Sequence, residues 1–266
     1  MSVVGVSSYF LWTQKGNTTL PLVRGSGFLV PFRQLGGFYR YHVLSAAHVT
    51  CPVRYRKLYG NTVGLRAIGE RHVTTRLLKP RADDGVVEAS VEMRFAQHYF
   101  LNVDVSSLRC KDESELHDLK LEAVELDLDP ITEGTELIFR GVLALEEKSN
   151  PNDDGLRLSE ASIDGECRAA LVSVDYGTVI LASLKSSLHL SMCGGPVIRK
   201  STGGCVGVIV ARAMRNAPPR DPHVGSLYEE PWLDVSCNEN LRNCAGLDVA
   251  FVPVREFYDS LQRCEM

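Results

Sequence analysis

No stretch of this 266-residue chain contains about 18 uninterrupted apolar residues, so a membrane-spanning helix is not expected. None of the eight cysteines forms a Cys-x-x-Cys pair, and no Cys/His grouping has zinc-finger spacing. No metal or organic cofactor is implied by any spacing. A basic surplus is missing as well: 29 Lys and Arg face 33 Asp and Glu, for a formal net charge of −4. That balance argues against a nucleic-acid binder working through a broad basic surface, while leaving room for a local basic patch. There is no fixed-period repeat and no low-complexity tract. The mildly apolar start, Met1 to Leu11, lacks a basic leader and a small-residue cleavage site, and reads as a first strand.

What is present is an ordinary globular composition, 44% hydrophobic and 23% charged, which does not favour disorder. Short apolar and β-branched runs recur between glycine-containing breaks: Gly27 to Pro31, Arg40 to Leu44, Glu136 to Leu143, Leu171 to Val174, Thr178 to Ala182, Cys205 to Ala211 and Leu247 to Val254. Such spacing favours an all-β barrel or sandwich over a βαβ alternation. One helix is expected near the end, because Val254, Phe257, Tyr258 and Leu261 share a face. Lys79 to Gly85 and Lys148 to Gly155 read as turn-rich insertions. The acidic, proline-containing stretch Asp127 to Gly134 is the expected junction, dividing the chain into 1–127 and 128–266. Met214 to Asn243 carries four prolines together with Tyr228, Trp232 and Leu233. A loop of that length is usually functional or disordered, and its apolar anchors suit a cover over a cleft or a docking site for a protein partner.

Two runs carry the chemistry. Leu44-Ser45-Ala46-Ala47-His48 places a histidine just after a strand-like segment, and Ser191-Met192-Cys193-Gly194-Gly195-Pro196-Val197 places a cysteine before a glycine pair. A lone Cys-Gly-Gly is weak evidence, since glycine pairs mark turns everywhere. In this order, each after strand-like sequence, the two runs resemble the base and nucleophile loops of trypsin-fold peptidases. The layout is similar to the HtrA (Deg) branch without its PDZ domain. Gly25-Ser26-Gly27-Phe28-Leu29-Val30 resembles the strand before the histidine in that branch, and Leu247 to Val254 resembles its last strand. Similar Cys-Gly-Gly loops occur in the chymotrypsin-like cysteine proteases of picornaviruses. No Ile-Val-Gly-Gly type activation sequence is present.

The resemblance implies two antiparallel six-stranded β-barrels with a short C-terminal helix. It makes His48 the general base and Cys193 the nucleophile of a cysteine-type endopeptidase acting on peptide or protein substrates through an acyl-enzyme. Two carboxylates compete to orient His48. Asp104, in Asp-Val-Ser-Ser-Leu, fits the family pattern better than Asp118, where Lys120 takes the small-residue position. The backbone N–H groups of Ser191 and Cys193 would form the oxyanion hole, although the family normally has glycine where Ser191 stands. Ser187 falls at the pocket base, and Val210, Ala211 and Arg212 fall on the strand that pairs with substrate. Arg212 stands where glycine is usual and either narrows the pocket, attracts an acidic side chain, or is solvated. The Ser191, Arg212 and insertion departures suit an alternative: an inactive pseudo-protease serving as a binding or assembly subunit. With Cys193 a free thiol, an odd number of cysteines remains, which favours a reducing intracellular compartment such as the cytosol or mitochondrial matrix.

Overall fold

The structure is a computed structural model that describes residues 1–12, 18–33, 39–55, 68–93, 98–100, 102–110, 113–145, 156–173, 177–214, 232–234 and 246–263. The first sheet is built from β1 (Val3–Trp12), β2 (Thr18–Arg33), β3 (Tyr39–Ser45), β4 (Val73–Pro80), β5 (Val87–Glu92), β6 (His98–Tyr99) and β7 (Ser106–Leu108). Its order is β5-β4-β1-β2-β3-β7-β6, and a bridge between Met93 and Cys110 draws its two ends together. The second sheet holds β8 (Glu136–Leu145), β9 (Arg157–Ser173), β10 (Gly177–Leu184), β11 (Pro196–Arg199), β12 (Cys205–Met214), β13 (Trp232–Asp234) and β14 (Val249–Pro253). Six of these close on themselves as β11-β8-β9-β10-β14-β12, with β12 returning to β11. All ladders between described strands are antiparallel except β12–β13, which is parallel.

The strand-like runs fall where the pattern placed them, because alternation or full burial of β-branched residues suits a pleated surface. Along β4 the buried residues Val73, Thr75 and Leu77 alternate with half-buried ones, whereas β14 is buried throughout. The run Leu171 to Val174 is the tail of β9, with residue 174 outside the described residues. Four segments differ from expectation or lie outside the described residues, one of them the Met214 to Asn243 insertion, of which only 214 and 232–234 are described. Lys79 and Pro80 complete β4, and the turn to β5 is closed by Arg81 N–H donating to Val86 O at 2.8 Å and Gly85 N–H to Arg81 O at 3.0 Å. That segment is a tight hairpin, not an insertion. Lys148 to Gly155 lies outside the described residues. The terminal helix is split into a 3-10 turn, Val254–Glu256, and an α-helix, Tyr258–Arg263. The inward face is nevertheless kept, since Val254, Phe257 and Leu261 are buried and Phe257 stacks on Phe100 at 5.6 Å. That contact ties the C-terminal segment to the first half. Two further helices are short: α1 (Ala47–Thr50) and α2 (Glu113–Asp118), the Tyr258–Arg263 helix being α3.

The segment between the two sheets is fastened to β11. Arg199 Nε donates to Asp127 Oδ2 at 2.8 Å, its Nη2 donates to Asp129 O at 2.7 Å, and Thr202 Oγ1 donates to the same Asp127 oxygen at 2.9 Å. Burial by itself would raise the Asp127 carboxyl, but the hydrogen bonds from Arg199, the Asp129 N–H and Thr202 outweigh it and hold the group below its ordinary range. Arg199→Met is therefore expected to destabilise the fold by about 1.5–3 kcal/mol at pH 7, the usual cost for hydrogen bonds to a charged group. A carboxylate with a depressed folded-state pKa stabilises above its unfolded pKa of about 3.9 and loses that contribution as pH falls through the folded value. Urea denaturation of both proteins at pH 7 and near pH 2 checks this: the gap should narrow in acid, and an unchanged gap would refute it.

Candidate active site

His48 is set by local chain geometry and by one remote carboxylate. It lies in α1, a helix of one turn whose N-cap, Ala46, offers no side-chain acceptor. Asp104, from the loop between β6 and β7, supplies what is missing. Its Oδ1 accepts the His48 backbone N–H at 2.8 Å, and its own carbonyl accepts Ala47 N–H at 3.3 Å. The second carboxylate oxygen, Oδ2, lies 2.5 Å from His48 Nδ1. Both oxygens of a fully buried carboxylate are thereby fixed, and the ring is held with Nδ1–H toward Asp104. Asn102, two residues earlier, takes the left-handed conformation (φ 66°) that turns this loop inward. Asp118 is exposed at the end of α2. The carboxylate at His48 is Asp104.

Further hydrogen bonds hold the helix. Thr50 Oγ1 donates to Ala47 O at 3.1 Å and lies 3.0 Å from Ser106 Oγ, while Thr75 Oγ1 donates to Thr50 O at 3.1 Å. Tyr55 presents its ring edge-on to His48, with centroids 6.4 Å apart. Burial first, then the nearby Asp104 charge, pushes its phenol well above the ordinary tyrosine range, so it stays neutral. Sequence reasoning missed Tyr55, because no motif connects an aromatic seven residues downstream to the histidine.

The Cys193 loop sits against the same strand as His48. Ser26 N–H donates to Cys193 O at 2.7 Å. A Cβ on Gly25 would come within 2.7 Å of both that carbonyl and the Val49 side chain, next to His48. Only glycine lets the Cys193 loop and α1 approach β2 together. Gly194 adopts φ +89° and lies against Ser26 O, Ser45 Oγ and Ala46 N, so it too admits no side chain. The Ser26 hydroxyl donates to Ser191 O at 2.6 Å and accepts Val142 N–H at 2.9 Å, linking both halves of the molecule at one atom. The Gly-Ser-Gly pattern was the signal for this serine, although the pattern alone gave it no role.

The expected oxyanion hole is not formed in this structure. Leu190–Met192 forms a 3-10 turn in which Cys193 N–H donates to Leu190 O at 2.9 Å, and Ser191 N–H faces His189 Nδ1 at 3.4 Å. Both N–H groups point to acceptors inside their own loop. The Ser191 hydroxyl adds a clasp to β8, donating to Val142 O at 2.6 Å and accepting Ala144 N–H at 3.1 Å, with His189 Nδ1 at 2.8 Å. A glycine could make none of these three contacts. Cys193 and His48 are each 1% exposed, so the arrangement is closed to solvent as well.

The expected substrate residues are more dispersed. Ser187 is exposed after the bend that ends β10. Val210 and Ala211 are fully buried in β12, at a bulge in its pairing with β14. Arg212 is half-buried and its backbone pairs with Trp232 of β13. Among the described residues no group of three or more His, Cys, Asp or Glu could hold a metal ion. No helix there is long and apolar enough to cross a membrane.

No model of a known protein family matches the sequence, and no curated protein matches it. Solved structures do. The active form of the Rv3671c protease from M. tuberculosis aligns over 98% of this chain and 79% of its own, with a TM-score of 0.52 at 14% identity. The fold is that of the trypsin-like proteases. The apo protease domain of MamO from Magnetospirillum magneticum aligns over 98% of this chain and 95% of its own at 13% identity, with a TM-score of 0.49. Within this fold, α1 with His48 and the loop with Asp104 belong to the first half and the Cys193 loop to the second, and α1 and the Cys193 loop both approach β2 at Gly25.

Proposed function

We propose that this chain is a cysteine peptidase of the trypsin-like fold, with Cys193 as nucleophile, His48 as general base and Asp104 as its orienter. The observation that carries the reading is the buried His48 ring, tied to Asp104 at 2.5 Å, on a helix whose next residue, Val49, meets the Cys193 carbonyl at Gly25. In the proposed reaction His48 Nε2 takes the Cys193 proton, and the thiolate adds to a peptide carbonyl carbon. Collapse of the tetrahedral adduct breaks the C–N bond, and the imidazolium gives its proton to the departing amine. Water, deprotonated by the same ring, then hydrolyses the thioester. The adduct's oxyanion needs N–H donors, so Leu190–Cys193 must rearrange until Cys193 N–H leaves Leu190 O.

A second reading, a binding or assembly subunit that keeps the fold without the reaction, draws its support from the Ser191 clasp. Ser191→Gly separates the two. Glycine removes the hydroxyl that fastens the loop to β8 and relaxes the backbone for the conformation a hole requires. For a peptidase restrained by this clasp, turnover of a fluorogenic peptide should rise by about 10²-fold, the scale of one oxyanion donor. The variant should also lose about 1–3 kcal/mol of stability as Val142 O and Ala144 N–H lose their partner. No turnover from either protein, with the stability loss present, would favour the binding subunit.

A further inference from the structure

Three residues close a ring of hydrogen bonds where the two halves of the molecule meet. Ser26 Oγ donates to Ser191 O at 2.6 Å, Ser191 Oγ donates to Val142 O at 2.6 Å, and Val142 N–H donates back to Ser26 Oγ at 2.9 Å. Ser26 is fully buried in β2, in register with Gly5 of β1, and its carbonyl accepts the Ser45 hydroxyl at 2.7 Å. It is a fixed point. From there it holds the carbonyls on both sides of Met192: Ser191 O through its hydroxyl, and Cys193 O through its N–H at 2.7 Å. The next two residues are tied to β12, Gly194 N–H to Ile209 O at 2.7 Å and Gly195 O to Ile209 N–H at 2.9 Å. The peptide between Leu190 and Ser191 is held differently. Among the described residues its oxygen accepts only Cys193 N–H, inside the turn, and its N–H faces only the exposed His189 ring at 3.4 Å.

We infer that Ser26 is a positioning residue for the Cys193 loop: its hydroxyl keeps the Ser191–Cys193 backbone in place while the Leu190–Ser191 peptide alone turns over to expose the oxyanion donors. This rests on the peptidase reading and deepens it. The N–H and C=O of a trans peptide point in opposite directions. Turning that one peptide takes Leu190 O away from Cys193 N–H and brings Ser191 N–H to the same side, so two donors converge. Ser26 does not oppose the turn, because the carbonyl it holds belongs to the next peptide. Without its hydroxyl the loop would open by moving as a whole, and donors that move with it are poorly aimed at an oxyanion.

The test starts from Ser191→Gly in the full chain, where the ring is broken but position 191 keeps its carbonyl. To it is added Ser26→Ala or Ser26→Cys, a thiol being a weak donor and acceptor. Thermal melting verifies folding, and the cysteine variant serves if the alanine one does not fold. Amide exchange is read residue by residue by NMR. In Ser191→Gly it should quicken at position 191 and at Cys193, while Gly194 and Gly195 keep the rates of the unmodified chain. With Ser26 replaced, an acceleration of about tenfold, the effect of one lost hydrogen bond, should spread to Gly194 and Gly195. A peptide aldehyde gives the second readout. The Cys193 sulfur bonds to its carbonyl carbon, the thiol proton passes by way of His48 to its oxygen, and the resulting hemithioacetal draws on the oxyanion donors. Replacing Ser26 should weaken this adduct about tenfold, while alkylation of Cys193 by iodoacetamide, which needs no such donors, does not slow. Exchange that stays confined to position 191 and Cys193 when Ser26 is replaced, or an adduct that weakens no more than alkylation slows, overturns the inference. Exchange that spreads as expected while no protein forms an adduct overturns the peptidase reading and leaves the hold of Ser26 on the loop standing.

Discussion

Replacing Cys193 by alanine is expected to abolish peptide cleavage, a loss on the order of 10⁶ in turnover, as when the nucleophile of a serine-type triad is removed. Cys193→Ser should retain a trace, because a hydroxyl is the poorer nucleophile at neutral pH with the same base beside it. The companion measurement is alkylation by a thiol-directed peptide electrophile, read by peptide mass mapping. Neither Cys167 nor Cys205 should compete at pH 7. Burial, aided by Glu133 and Glu166, pushes the Cys167 thiol up to about 11. Burial pushes Cys205 up to about 12 against the backbone hydrogen bonds that favour its thiolate. Because Cys193 is 1% exposed, its labelling also requires the 190–193 turn to open, so Ser191→Gly should label faster than the unmodified chain. A chain that folds normally, cuts no peptide and resists alkylation at Cys193 would refute the peptidase reading.

Asp104→Asn should lower turnover by about 10⁴ with little change in KM. The reason lies in the two oxygens of Asp104. Oδ1 accepts the His48 backbone N–H at 2.8 Å, so an asparagine keeps its carbonyl there and directs its amide N–H at His48 Nδ1. That nitrogen must then be the acceptor, the ring proton moves to Nε2, and the base is in the wrong tautomer to receive the thiol proton. Asp118→Asn, an exposed position, should change neither quantity. A large effect at Asp118 with none at Asp104 would refute this assignment.

How much of this was legible in the chain depended on how local each cause was. Strands with consistent alternation or full burial, such as β12 and β14, announced themselves because their side-chain pattern reflects the faces they bury. The polar β9, seventeen residues long, showed only its last few, since a strand with an exposed face carries many residues equally suited to loops. The two-residue β6 and three-residue β7 are too short to have a period. The terminal helix showed its inward face but not its break at Phe257, where φ is −126°.

By itself the sequence determined the all-β class, the strand-bounded positions of His48 and Cys193, and the glycines that let their loops meet. These follow from residue type and from neighbours a few positions away. The tertiary structure decided which carboxylate reaches His48, because that bond spans 56 residues and depends on the turn at Asn102. It also decided that the Ser191 and Cys193 N–H groups turn inward, and that Ser26, 165 residues away, holds the Ser191 carbonyl. The seating of β13 on β12 belongs to the same kind. Hydrogen bonds are short-ranged in space and indifferent to separation along the chain, so a sequence shows the groups able to make them and only the fold selects the partners.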